Sequence, residues 1–69
     1  MEKDWILLKT YQNPNEATMA EDFLIENGIR VVSINKHDSS YGVFGQIELY
    51  CHVNEAYEAL NLLESNENE

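Results

Sequence analysis

The apolar positions of the chain recur first in a short continuous run, then at helical spacing, then in strand-like runs, and finally at helical spacing again. Asp4 to Tyr11, DWILLKTY, is rich in strand formers, too short for a helix and bounded by the turn-prone QNPN, so it predicts a first strand. Strict alternation along it places Trp5, Leu7 and Lys9 on one side and Ile6, Leu8 and Thr10 on the other. Both sides are apolar at the start of the strand.

Asn13 to Ile29, NPNEATMAEDFLIENGI, carries a helix start, a face and a stop. Asn13 suits the cap, Pro14 the first helical position, and Glu16 the capping-box position, while Gly28 supplies the left-handed backbone that ends helices. Ala17, Ala20, Phe23 and Leu24 form one stripe, opposed by Thr18, Glu21, Asp22 and Glu26; Met19 flanks the stripe and Ile25 projects near the polar side. The β-branched run from Ile29 to Ile34 predicts a second strand. Residues 35–45, NKHDSSYGVFG, have no periodicity and predict a loop, longer than the two to five residues of ordinary hairpins and of the kind that carries function or mobility. Gln46 to Val53 alternates cleanly, with Ile47, Leu49, Cys51 and Val53 on one face and Glu48, Tyr50 and His52 on the other, and predicts a strand with one buried face. Asn54 is the expected cap of a second helix whose stripe is Ala56, Ala59, Leu60 and Leu63, with Leu62 at its flank. The apolar-free SNENE, residues 65–69, reads as a disordered acidic tail, which leaves one α+β domain over residues 1–64.

The order strand, helix, strand, strand, helix implies a right-handed parallel crossover followed by an antiparallel third strand. Inserting that strand between the first two buries both helices on one face of a three-stranded sheet. The result is a two-layer sandwich, the split arrangement of ferredoxin-like folds without the last strand. It leaves the strand from Trp5 to Thr10 as an apolar edge, which is normally covered or paired.

Composition adjusts this picture in three ways. At 69 residues the domain is near the lower limit for an independent core, so docking to itself or to a partner is a natural source of stability. Thirteen acidic against four basic side chains, with no Lys or Arg after Lys36, disfavour nucleic acid and anionic membrane surfaces as partners and keep a small domain soluble. The single Cys51 rules out an intrachain disulfide, and the N-terminus has no signal-peptide core, so a cytoplasmic setting is expected.

An early Trp in the first strand (Trp5, Ile6, Leu8), a helix opening on Asn13, Glu16 and Ala17 and closing on Leu24, Glu26, Gly28 and Ile29, and a second half built on Ile47, Leu49, Val53, Ala56, Ala59 and Leu63 span nearly the whole chain. In these features the chain resembles a small bacterial domain family of unknown function described as prokaryotic signal-transducing proteins, related in fold to PII-like and ferredoxin-like regulatory domains. The resemblance implies a regulatory or interaction domain with no established catalytic residues; no cofactor is expected. PII-like domains make ligand and partner contacts through the loop between their second and third strands, a place taken here by residues 35–45 with Lys36 as the single basic group.

Candidate contact residues follow from the loop and from the non-helical sheet face. His37, Asp38, Tyr41 and Phe44 in the loop, with Tyr50 and His52 on the third strand, are the expected ligand or partner contacts. Trp5 and Leu7 are the expected self-association residues, with two readings open: they share the open face with Tyr50, or Trp5 closes the end of the core. A metal site is not expected, since one His and one Asp do not make three or four convergent ligands, and Cys51 and His52 point to opposite faces. Cys51 belongs to the buried set, where a thiol behaves as a small hydrophobe. The expected function is a non-enzymatic, self-associating regulatory or protein-interaction domain. The alternative is a metabolite sensor holding its ligand between the 35–45 loop and the open sheet face.

Overall fold

The computed structural model describes residues 3–36 and 46–67. The elements are β1 (Trp5–Tyr11), α1 (Pro14–Glu26), β2 (Val31–Lys36), β3 (Gln46–His52), a 3-10 turn (Val53–Glu55) and α2 (Ala56–Glu67). The fold is α+β, with a three-stranded antiparallel sheet in the order β1-β3-β2. The predicted insertion of the third strand between the first two is therefore observed, and both β1 and β2 are edges.

Ile47, Leu49 and Cys51 of β3 form one buried cluster with Ala17, Ala20 and Leu24 of α1 and Ala56, Ala59 and Leu63 of α2, so both helices cover the same face. Leu24 and Leu49 are fully buried, each contributing about 1.5–3 kcal/mol relative to exposure. The small alanines on each helix let the backbones lie close to the sheet. Leu60, expected in the stripe of α2, is instead half exposed, and Leu62 packs against the core in its place.

β1 departs from strict alternation. Ile6 pairs with Cys51 and Leu7 with Tyr50, but the next pair joins Lys9 to Leu49, leaving Leu8 as a bulge. Paired residues share a face, so the extra residue inverts the alternation. Lys9 and Tyr11 turn to the helical side, not to the side of Trp5 and Leu7 where alternation places Lys9. Tyr11 joins the core at 8% exposure, a core residue that the pattern did not single out.

Asn13 Oδ1 accepts from the Asn15 N–H at 2.8 Å, capping α1 as expected. At the other end the Ile29 N–H bonds to Leu24 O and the Gly28 N–H to Ile25 O, both at 3.0 Å, with Gly28 at φ 82°. This is a Schellman closure, and its customary hydrophobic contact joins the buried Leu24 and Ile29. Ile29 therefore ends the helix motif and does not start the strand, and β2 begins two residues later than expected and runs on to Lys36.

The start of α2 also differs from expectation. The chain leaves β3 through the 3-10 turn, where His52 Nδ1, not the Asn54 side chain, accepts the Asn54 N–H at 3.2 Å. Val53, expected on the buried face of the strand, is consequently exposed. α2 continues through Ser65 and Asn66 to Glu67, residues expected in the tail, because nothing in that stretch breaks the helix.

Gly28→Ala should destabilise the fold by about 1 kcal/mol, because a Cβ is strained at positive φ although it meets no neighbour there. Urea denaturation measures the loss, and an unchanged midpoint would show that the helix stop does not depend on the left-handed conformation.

Candidate functional site

The sheet has one face packed under helices and one that is not. On the open face the register lays out rows across the three strands: Leu7, Tyr50 and Val32 form one row, and Thr10, Glu48 and Ile34 the next. Trp5 pairs with His52 at the end of the face, their rings 5.9 Å apart in an edge-to-face arrangement. The open reading of the first strand is settled: Trp5 and Leu7 share this face with Tyr50 and His52. Leu7 and Val32 are 48% and 40% exposed on either side of Tyr50, leaving apolar surface in the middle of the row.

Polar groups at this face are mutually engaged. The Tyr50 O–H donates to Glu48 Oε1 at 2.8 Å, and Lys36 Nζ lies 3.6 Å from the same oxygen. The bond to Glu48, partial burial and the nearby negative charge together hold the Tyr50 hydroxyl above its ordinary pKa. His52 spends Nδ1 on the Asn54 N–H, which places the proton of the neutral ring on Nε2. Its imidazole thus joins the open face to the start of the second helix.

Cys51 is fully buried on the opposite face, and burial, helped by the charge of Glu55, raises the pKa of its thiol. A protonated, inaccessible thiol is a packing residue. Glu55 closes the structure between α2 and the turn before β2: its Oε1 accepts from the Arg30 backbone N–H at 3.1 Å and from Arg30 Nε at 3.2 Å. Those bonds, the backbone one foremost, hold the Glu55 carboxyl below its ordinary pKa, although partial burial pushes the other way.

A concavity lies on the helical side, between the end of β1, the first turns of α1 and the last turn of α2, with a volume of about 450 Å³. Gln12, Glu16 and Asn66 supply polar groups around an apolar wall of Met19 and Leu63. Lys9 and Tyr11 also line it, the ammonium 5.1 Å from the centroid of the Tyr11 ring, because the bulge at Leu8 turns both this way. Strict alternation gave no sign of this groove. Val32 and Ile34 were likewise not singled out, since Ile29 to Ile34 is apolar on both faces and its phase is not visible until β3 supplies the register.

Of the expected contact residues, the structure brings together Trp5, Leu7, Tyr50 and His52. His37, Asp38, Tyr41 and Phe44 lie outside the described residues. Among the described residues, no three His, Cys, Asp or Glu side chains group as a metal site, and no helix is long and apolar enough to cross a membrane. The chain matches no protein-family model, no curated protein and no solved structure.

The lowered pKa of Glu55 fixes the sign of its pH dependence. Its contribution to stability is complete above the unfolded value of about 4.3 and is lost as pH falls through the lower folded value. Glu55→Gln should therefore be less stable than the parent at pH 7, and the two urea midpoints should converge below about pH 4. Parallel curves over that interval would show that Glu55 does not act through its charge.

Proposed function

We propose that the chain is a non-enzymatic regulatory or protein-interaction domain that works in the cytoplasm and self-associates through the open face of its sheet. This is the ferredoxin-like, PII-like type implied by its resemblance to prokaryotic signal-transducing domains. The observation that carries the reading is the row Leu7, Tyr50, Val32, where two exposed aliphatic side chains flank a tyrosine on a face without helices. Apolar groups around an aromatic are the composition of an interface centre. The alternative route, pairing along the β1 edge, is less suited, because a bulge disrupts the ladder and twists an edge away from partners.

The groove beside β1 supports a second reading, a small-molecule sensor. Its volume falls in the range of ligand pockets, and its lining mixes an apolar wall with a few polar groups. This seat differs from the one expected between the 35–45 loop and the open face. A thermal-shift screen with metabolites separates the two readings, since a ligand at 100 times its dissociation constant adds about 2.7 kcal/mol.

For the leading reading, the double substitution Leu7→Gln, Val32→Thr should keep the helical circular dichroism and cost no more than about 1 kcal/mol, because both side chains are exposed. It should also abolish the concentration-dependent association that the parent shows in sedimentation velocity. A parent that stays monomeric at millimolar concentration, or a variant that associates equally well, would count against the reading.

A further inference from the structure

The charges of the molecule are segregated by layer. α1 contains Glu16, Glu21, Asp22 and Glu26, and α2 contains Glu58 and Glu64: six carboxylates and no base among the described side chains of the two helices. On the open face, Lys36 and Glu48 form a close pair and offset each other. Among the described residues the helical side, which Lys9 also joins, is therefore strongly acidic and the open side close to neutral, within a formal net charge of −9.

From this segregation we infer that the self-association proposed above, on which this step rests, is a two-fold stacking of two open sheet faces whose strength is set by ionic strength. A second copy is the occupant that the charge pattern fits. Stacking places the two acidic helical layers on opposite outsides of the pair, while any contact made through the helices opposes six carboxylates to six. A basic partner would be drawn to the helical side, not to a neutral face. An isologous two-fold contact asks only that the face complement itself, and Leu7 and Val32 flanking Tyr50 give it an apolar centre to do so.

Area decides how far charge matters. Three strands about 4.8 Å apart and about 23 Å long present roughly 330 Å² per copy. The pair therefore covers roughly 650 Å² of sheet, below the 1,200–2,000 Å² of stable complexes. The dimer is accordingly weak, and long-range repulsion between two copies is large enough to govern it. With sheets about 10 Å apart and a helical layer outside each, the acidic layers stand roughly 30 Å from one another. That is about one Debye length at 10 mM salt and nearly four at 150 mM, so added salt removes most of the repulsion and leaves the apolar contact intact. Association should tighten on the order of 10- to 100-fold over that interval.

The test is sedimentation velocity of the full chain from 10 µM to 1 mM at about 10, 150 and 500 mM sodium chloride, a range that spans the Debye lengths of interest. The fluorescence of Trp5, the single tryptophan and a residue of the open face, serves as an independent reporter of contact. The expected result is a dimer that strengthens with salt, is lost in Leu7→Gln, Val32→Thr, and tightens at 10 mM salt in Asp22→Asn, Glu26→Gln, Glu64→Gln, whose substitutions lie on the helices away from the face. A dimer that weakens with salt, ignores the helical substitutions or survives the face substitutions would overturn stacking while leaving self-association by another route in place. A strict monomer at 1 mM in every salt would overturn stacking and self-association together.

Discussion

The alternation along β3 is the constraint on which the rest of the molecule depends. One side of this central strand, Ile47, Leu49 and Cys51, is the floor of the core, and the other, Glu48, Tyr50 and His52, is the middle of the open face. Among the described residues, two helices cover one side of the sheet. A two-layer domain of this size therefore builds its core and leaves a partly apolar surface by the same packing. What happens at β1 and β2 follows from their pairing with β3, since each neighbour inherits its faces from that strand's register.

The helices and β3 were legible in the sequence because each reports itself locally. Asn13, Pro14 and Gly28 mark the ends of the first helix through capping and positive-φ chemistry, and the alternation of β3 needs no partner to be read. The edge strands were less legible. β1 is apolar on both sides at its start, and its bulge arises from pairing with β3, a long-range event with no local signature at Leu8. β2 was shifted because Ile29 is β-branched and reads as strand, yet its N–H is bound to Leu24 O at the helix end. At the second helix, Asn54 has the composition of a cap, but His52 is better placed once the chain turns out of the sheet. The candidate site was visible in part for the same reasons: Tyr50 and His52 came from alternation, whereas Val32 and Ile34 required the register.

Tertiary ties on the two sides of the sheet are of different kinds. Beneath it, fully buried Leu24, Leu49 and Cys51 hold the layers by packing. Around its rim, polar bonds locate the connections: the Val53 N–H meets Asp4 O at 2.7 Å, and Glu55 binds Arg30. These rim contacts bring the start of β1, the turn before β2 and the start of α2 to one end of the sheet, where Trp5 and His52 also meet. The open face is thus positioned by elements whose own stability comes from the other side.

The bulge at Leu8 has a consequence for how such a chain can change over time. It divides β1 into two half-strands of opposite phase: Trp5 and Leu7 serve the open face, while Tyr11 serves the core. Point substitutions at Trp5 or Leu7 can remodel the exposed surface without touching Tyr11 or the helical layer. Loss of the single codon for Leu8 would remove the bulge and leave Leu7 and Lys9 as consecutive partners of Tyr50 and Leu49, so that Trp5 and Leu7 stay on the open face and Tyr11 stays in the core. One inserted residue in an edge strand thus lets surface and core drift separately under substitution, and its loss would straighten the strand without changing which residues face the core.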